Sequence, residues 1–189
     1  MRIYVDFDRT IFDCERFIKD FFELLQNYSI SRDDFTKYQN QFKDINPYII
    51  LDTMSKEKNI NKGVYGAIDE LIEQSRDYLF CDAIPFLEYL KNKNYQVSIL
   101  SRGDYDFQRS KIINSHIESY YDDIIITSNH KGELDLDYAN SIFIDDNVEE
   151  LKSIMDRNPK RIISIQRENR ANKLDIETVN SLQKLINNV

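Results

Sequence analysis

In the opening segment RIYVDFDRTIFD, Asp6 and Asp8 stand two residues apart, directly after a short apolar run. Two carboxylates this close repel each other, and burying them unpaired would cost several kcal/mol, so the pair calls for a cation such as a divalent metal. On their own the same two residues would serve equally well as caps of a turn.

Three later segments offer groups of matching chemistry. Ser101 and Arg102 close YQVSILSR, where a hydroxyl and the following amide can hold a phosphoryl oxygen without adding charge, and Gly103 lets the backbone approach closely. Lys131, in TSNHKGEL, carries a compact ammonium suited to bridging a carboxylate and a phosphate. Lys111 competes for that role, but its place in mid-helix predicts that it points away from the strand ends. Asp145 and Asp146 end SIFIDD and add two more acids, giving the oxygen-rich donor set that Mg²⁺ takes. Each of these has an ordinary alternative: a strand-end serine, a solvated loop lysine, an Asp-Asp turn and helix cap.

These residues need strands to carry them. Ile3, Val5 and Phe7 read as a buried strand delivering Asp6 and Asp8 at its C-terminal end, which is where ligands of open α/β sheets sit. From Asp13 to about Phe80 no strand is expected. Phe17, Phe21, Phe22, Leu24 and Leu25 recur at helical spacing, Ser31 reads as the N-cap of a helix through SRDDFTKYQNQFKDI, Pro47 starts a third helix, and a fourth follows Gly63 as far as Leu79. The aromatics of this region, Phe35, Tyr38, Phe42 and Tyr48 among them, fit helix core better than a stacking platform.

Beyond it strands and helices alternate. Pro85 opens a helix, and YQVSILS, a helix from about Asp104 to Tyr120, DIIITS, SIFIDD, a helix near 148–155, RIISIQ and a terminal helix with Leu182, Leu185 and Ile186 follow. The expectation is a parallel sheet of five core strands with right-handed crossovers.

The order Asp-x-Asp-x-Thr, strand-Ser, Lys, strand-Asp-Asp resembles the four motifs of the haloacid dehalogenase-like hydrolase superfamily. The resemblance implies an α/β, Rossmann-like three-layer parallel sheet with a helical cap inserted after the first strand. Residues 1–12 and 82–189 would form the core and 13–81 the cap. It further implies that Asp6 attacks phosphorus and that Asp8 acts as general acid and then base. Ser101, the Arg102 amide and Lys131 would hold the phosphoryl group. Mg²⁺ would sit on Asp6, the Asp8 carbonyl, Asp145 and Asp146. The fourth motif position, usually Gly, is Arg9 here. Asp8 favours a phosphatase over the dehalogenase branch, which lacks an acid there. The segment from Ser101 to Leu134 with FIDDN also looks like the corresponding region of 5′(3′)-deoxyribonucleotidases. A phosphomutase and a non-catalytic binding module remain as alternatives, and the expected partner is a small phosphorylated substrate.

Composition narrows the classes further. Charged residues make up 31% of the 189, and the formal net charge of −8 argues against a general nucleic-acid surface. Cys14 and Cys81 are too few and too far apart for a disulfide scaffold or zinc site, and no signal-like or membrane-length apolar run occurs, so a cytoplasmic protein is expected. His116 reads as surface or packing, His130 as a candidate pocket residue, and Arg16 and Lys19 as a helix face that could equally meet solvent or substrate.

Overall fold

The computed structural model describes residues 1–167 and 174–189. Its centre is a six-stranded parallel sheet in the order β3-β2-β1-β4-β5-β6. The strands are β1 (Arg2–Val5), β2 (Gln96–Arg102), β3 (Asp123–Thr127), β4 (Ser141–Asp145), β5 (Arg161–Ile165) and β6 (Glu177–Val179). Five of these occupy the expected apolar runs, and β6 is an addition.

Alternate side chains of β1 go to opposite faces. Ile3 and Val5 join the core that includes Phe86, Leu87 and Ile112, from the helices α5 (Ala83–Asn92) and α6 (Tyr105–Asn114). Tyr4 faces Leu151 and Ile154 of α7 (Val148–Met155), and its ring stacks on Phe143 at 4.7 Å. The arrangement is three-layered, an α/β Rossmann-like fold. Because β1 pairs with β2 on one side and β4 on the other, the chain reverses its direction of travel across the sheet beside β1. That is the switch point where ligands bind in open α/β sheets.

Between β1 and α5 lie α1 (Cys14–Asn27), α2 (Arg32–Gln39), α3 (Pro47–Ser55) and α4 (Gly63–Glu73). Three carry the caps that start a helix. Asp13 accepts from Arg16 N, Ser31 from Asp34 N and Asn46 from Tyr48 N. Phe17, Phe21, Leu25, Phe35, Tyr38, Ile50 and Met54 are buried in the same apolar cluster as Phe7 and Phe12, so the aromatic stripe is core. The outgoing and returning connections run side by side, with Asp13 N donating to Tyr78 O (2.7 Å) and Phe80 N to Ile11 O (2.9 Å).

Several helices are shorter than periodicity suggested. α2 stops at Gln39 because the following residues turn across to the sheet side, where Lys43 Nζ donates to Asn129 Oδ1 (3.3 Å) and Asn46 Nδ2 to Asp104 Oδ1 (2.8 Å). α4 ends at Glu73, ahead of a 3-10 turn at Ser75–Tyr78. α6 ends at Asn114, since the Ser115 hydroxyl bonds back to Lys111 O (2.8 Å) and His116 adopts φ +51°, which no helix continues through. His116 therefore sits in the exposed turn after the helix. The expected terminal helix is instead a 3-10 turn, Leu182–Leu185, whose Leu182 and Leu185 are buried. No helix among the described residues is long and apolar enough to cross a membrane.

Candidate active site

Register brings the acids together. Val5 lies beside Ile99 of β2 and Ile144 of β4, so one residue further on Asp6 stands beside Asp145, and its amide donates to Ile144 O (2.9 Å). Oxygens of Asp6, Asp145 and Asp146 lie within 4.8 Å of one another. Lys131 reaches in from the loop after β3, and its Nζ is 2.6 Å from Asp6 Oδ1 and 2.6 Å from Asp145 Oδ2. The lysine is 1% exposed, so these two carboxylates and not water hold its charge. Asp145 Oδ1 also accepts the Asn147 N–H (2.8 Å), which seats the acid at the start of α7.

One ammonium does not balance three acids. Burial pushes the Asp6 carboxyl well above the ordinary carboxylate range; Lys131 opposes this, and Asp145 and Asp146 add to it. Burial and then Asp145 push Asp146 up to about 7, against Arg9 and Lys131. Lys131 goes the other way: burial disfavours its charge, but Asp145 and Asp6 outweigh that and raise its pKa. Asp6 Oδ2 is buried with no hydrogen-bond partner among the described residues, and so is Ser101 Oγ. Unsatisfied buried polar atoms are uncommon in folded proteins and call for an explanation. An unbalanced group of carboxylates with an unused oxygen suits a hard divalent cation.

Asp8 faces elsewhere. Its carboxylate takes Lys111 Nζ at 2.7 and 3.0 Å and Gln108 Nε2 at 2.8 Å. Lys111 is therefore not turned away from the strand ends, as its mid-helix position suggested. Gln108 and Lys111 are three residues apart on α6 and share its buried face, so they meet the loop after β1 together. The Lys111 ammonium also lies 5.2 Å from the ring centres of Phe12 and Phe107. Burial raises the Asp8 pKa, but the Lys111 charge and the bonds from Lys111 and Gln108 outweigh it and hold Asp8 below the usual range.

Two backbone details shape the floor. Arg9 adopts φ +60°, the left-handed conformation that glycine takes without strain, and its guanidinium pairs outward with Glu15 (2.8 Å). Gly103 has φ +145°, and a Cβ there would fall 2.8 Å from Gln108 Nε2, the group that holds Asp8.

Asp6, Asp8, Ser101, Arg102, Lys131, Asp145 and Asp146 all line one cleft of about 540 Å³, whose opposite wall comes from α1, α2 and the segment leading into α3. His130 pairs with Glu150 (2.8 Å). Arg16 donates to Asp77 O (3.0 Å) and Lys19 pairs with Glu23 along the exposed helix. Sequence reading did not single out Gln108 or Glu150. The three-residue spacing of Gln108 and Lys111 was the available sign for the first, and nothing local pointed to the second.

A model of the haloacid dehalogenase-like hydrolase family matches residues 3–156. No curated protein matches the chain in sequence. Among solved structures, a HAD phosphatase from Thermococcus onnurineus is similar at TM-score 0.72 and 18% identity, covering 97% of this chain and 95% of that one. A Bacillus subtilis protein assigned as a HAD-hydrolase and crystallised bound to magnesium is similar at 0.67 and 14%, covering 100% and 98%. The L-2-haloacid dehalogenase of Xanthobacter autotrophicus is similar at 0.65 and 12%, covering 98% and 96%. At these identities the structures speak for the fold.

Proposed function

The chain belongs to the haloacid dehalogenase-like hydrolase family, and from that premise we propose that it is a magnesium-dependent phosphatase acting on a small phosphate monoester. The observation that carries the reading is a second acid, Asp8, in the same cleft as the cluster of Asp6, Asp145 and Asp146. A dehalogenase has no use for a proton donor at that position, whereas ester cleavage leaves an alkoxide that needs one. The similar structures include a phosphatase and a dehalogenase, and Asp8 supports the first of these for this chain.

Asp6 attacks phosphorus in line, forming its bond as the ester P–O bond breaks, and becomes an aspartyl-phosphate. Asp8 gives a proton to the departing oxygen and then takes one from the water that cleaves the acyl phosphate. Lys111 favours the carboxylate form of Asp8, which suits the base step and works against the acid step while that ion pair is closed. Ser101, the Arg102 amide and Lys131 bind the phosphoryl oxygens as charge moves onto them. Asp6 and Asp145 would hold the magnesium ion, with Asp146 and the Asp8 carbonyl completing the protein's share. When bound, the ion offsets the repulsion between an anionic nucleophile and an anionic ester. Residues 13–81 would act as the cap that closes the cleft over the core of 1–12 and 82–189. A reducing cytoplasm suits the two unpaired cysteines, Cys14 and Cys81.

The test is phosphate release from nucleotides, sugar phosphates and small phospho-acids, with Mg²⁺ and with chelator. Magnesium-dependent release from at least one class is expected, and Asp6→Asn should abolish it. Turnover retained in that variant removes Asp6 as nucleophile. A wild-type protein that binds these esters but cleaves none supports a binding module instead.

A further inference from the structure

Glu150 is the third residue of α7 after its capping residue, Asn147. A glutamate at this position ordinarily turns back to the capping residue's own N–H. Here that N–H is taken by Asp145 Oδ1 (2.8 Å), and the Glu150 carboxylate reaches sideways out of the helix. Its Oε2 accepts the backbone N–H of Lys131 at 2.7 Å, and its Oε1 receives Arg102 Nη1 at 2.5 Å and meets His130 Nδ1 at 2.8 Å.

These partners sit at the end of β2 and in the loop after β3, while Glu150 itself follows β4. One carboxylate thus ties together three of the strand-end segments that supply the cleft. It is 2% exposed, and a charge buried to that degree costs several kcal/mol unless its partners are well placed. An apolar residue at this turn of α7 would pack without that cost.

The neighbouring contact narrows the role. Gly132 N donates to Ser153 Oγ (3.1 Å), and a Cβ on Gly132 would fall 2.1 Å from Ser153 O, so the loop is pressed directly onto α7. Ser153 and the close approach already provide neutral packing. What Glu150 adds is a charged grip on the residue that carries the ammonium, and on the guanidinium two strands away.

We propose that Glu150 is the positioning residue of the phosphate end of the cleft: by holding the Lys131 backbone and the Arg102 guanidinium together, it sets where the Lys131 ammonium stands relative to Asp6 and Asp145. It acts through Lys131 and Arg102 and does not touch the reacting atoms. The kinetic consequence rests on the phosphatase reading above; the geometric consequence does not.

The experiment therefore has two arms, using Glu150→Gln, which keeps the volume and removes the charge. In the first, the proton and nitrogen resonances of the buried Lys131 ammonium are followed by NMR. They should shift or broaden in E150Q and stay in place in Ser153→Ala, which frees the Gly132 N–H and the Glu150 backbone carbonyl but leaves the Glu150 carboxylate and its partners in place. An unchanged Lys131 signal in E150Q overturns the proposal whether or not the protein turns over any ester, and so does an equal change in S153A.

In the second arm, E150Q should lower kcat about 10- to 100-fold, the usual loss for a group that orients a site residue, with KM changing much less. In a Lys131→Ala background the same substitution should cost little more, since the two act as one unit. Equal costs in both backgrounds overturn the proposal. Wild-type protein that cleaves no ester overturns the phosphatase reading and leaves the decision to the first arm. If E150Q does not fold, Glu150→Asp, which keeps the charge and shortens the reach, is read the same way.

Discussion

Two lysine ammonium groups are buried in the same cleft, and they face opposite balances of charge. Lys111 meets one carboxylate, Asp8, and closes a neutral pair beside aromatic rings. Lys131 meets Asp6 and Asp145 with Asp146 at hand, so its charge is shared among too many acids. The result appears in the carboxylates: Asp8 is held below the ordinary range, while Asp6 is raised well above it. The same side chain, similarly buried, thus completes one site and leaves the other short of positive charge. Burial is the largest influence on both acids; it is fully offset by an ammonium at Asp8 and not at Asp6, and that difference marks where a cation would be taken up.

Lys131→Met should separate the two most sharply. On the proposed phosphatase reading Lys131 is a donor to the transferring phosphoryl group, and losing such a donor costs about 10²- to 10³-fold in kcat. With three acids and no ammonium, the fold of K131M should also come to depend on a divalent ion. A ligand that binds only the native state stabilises it by about 2.7 kcal/mol at a hundredfold excess over Kd. Thermal unfolding with and without Mg²⁺ should therefore show a larger upward shift of Tm in K131M than in wild type. Equal shifts would mean that Lys131 and the ion do not serve the same charges.

Lys111→Met tests the other half. Breaking a buried pair by removing one partner costs about 3–5 kcal/mol, because the remaining charge is stranded. The Asp8 side chain is 24% exposed and can recover some hydration, so the low end of that range is expected. Denaturant unfolding measures it, and Mg²⁺ should not restore the loss, since the Asp8 carboxylate lies outside the acid cluster. Full rescue by Mg²⁺ would erase the distinction between the two lysines.

The uneven legibility of the fold has the same origin. Apolar runs such as SIFID and RIISI are long enough to announce strands, and Ser31 and Pro47 announce helix starts. β6 could not be read, because Glu177–Val179 is three residues long and mostly exposed, so it has no apolar pattern to show. α6 was read as a continuous stripe of spacing, yet the Ser115 back-bond and the His116 turn end it early. Within the cleft, the sequence supplied residue types and their order along the strands. It could not supply which acid each lysine would choose, because that depends on how α6 meets the loop after β1. Glu150 was hidden for a related reason: its neighbours Asn147 and Glu149 make it look like part of an ordinary helix start.

Glu150 offers a third, intermediate case, a single buried carboxylate with several donors. Burial raises its pKa, but the Lys131 N–H, Arg102 and His130 outweigh burial and hold it below the ordinary range. A depressed folded value means that its contribution is complete above the unfolded value of about 4.3 and is lost as pH falls through the folded one. Wild type and E150Q should therefore differ in Tm at neutral pH and converge as the solution becomes more acid. A gap that stays constant down to the acid transition would mean that the charge of Glu150 contributes nothing.

Arg9 gives the smallest effect and bears on the same charge balance. Its left-handed backbone costs about 1–2 kcal/mol relative to glycine, which Arg9→Gly would recover. Against that gain stand about 0.4–1 kcal/mol from the freer unfolded chain and about 0–1 kcal/mol from the half-exposed pair with Glu15. These contributions nearly cancel, so R9G should leave stability within about 1 kcal/mol of wild type, or roughly 2–4 °C in Tm for a chain of this size. The charge of Arg9 also lowers the pKa of Asp146, however, so it lends the acid cluster part of the positive charge that Lys131 cannot supply. If that share matters, R9G should lose more stability in chelator than in Mg²⁺. If the two conditions give the same Tm change, Arg9 only shapes the turn, and Lys131 is the cluster's sole effective protein cation.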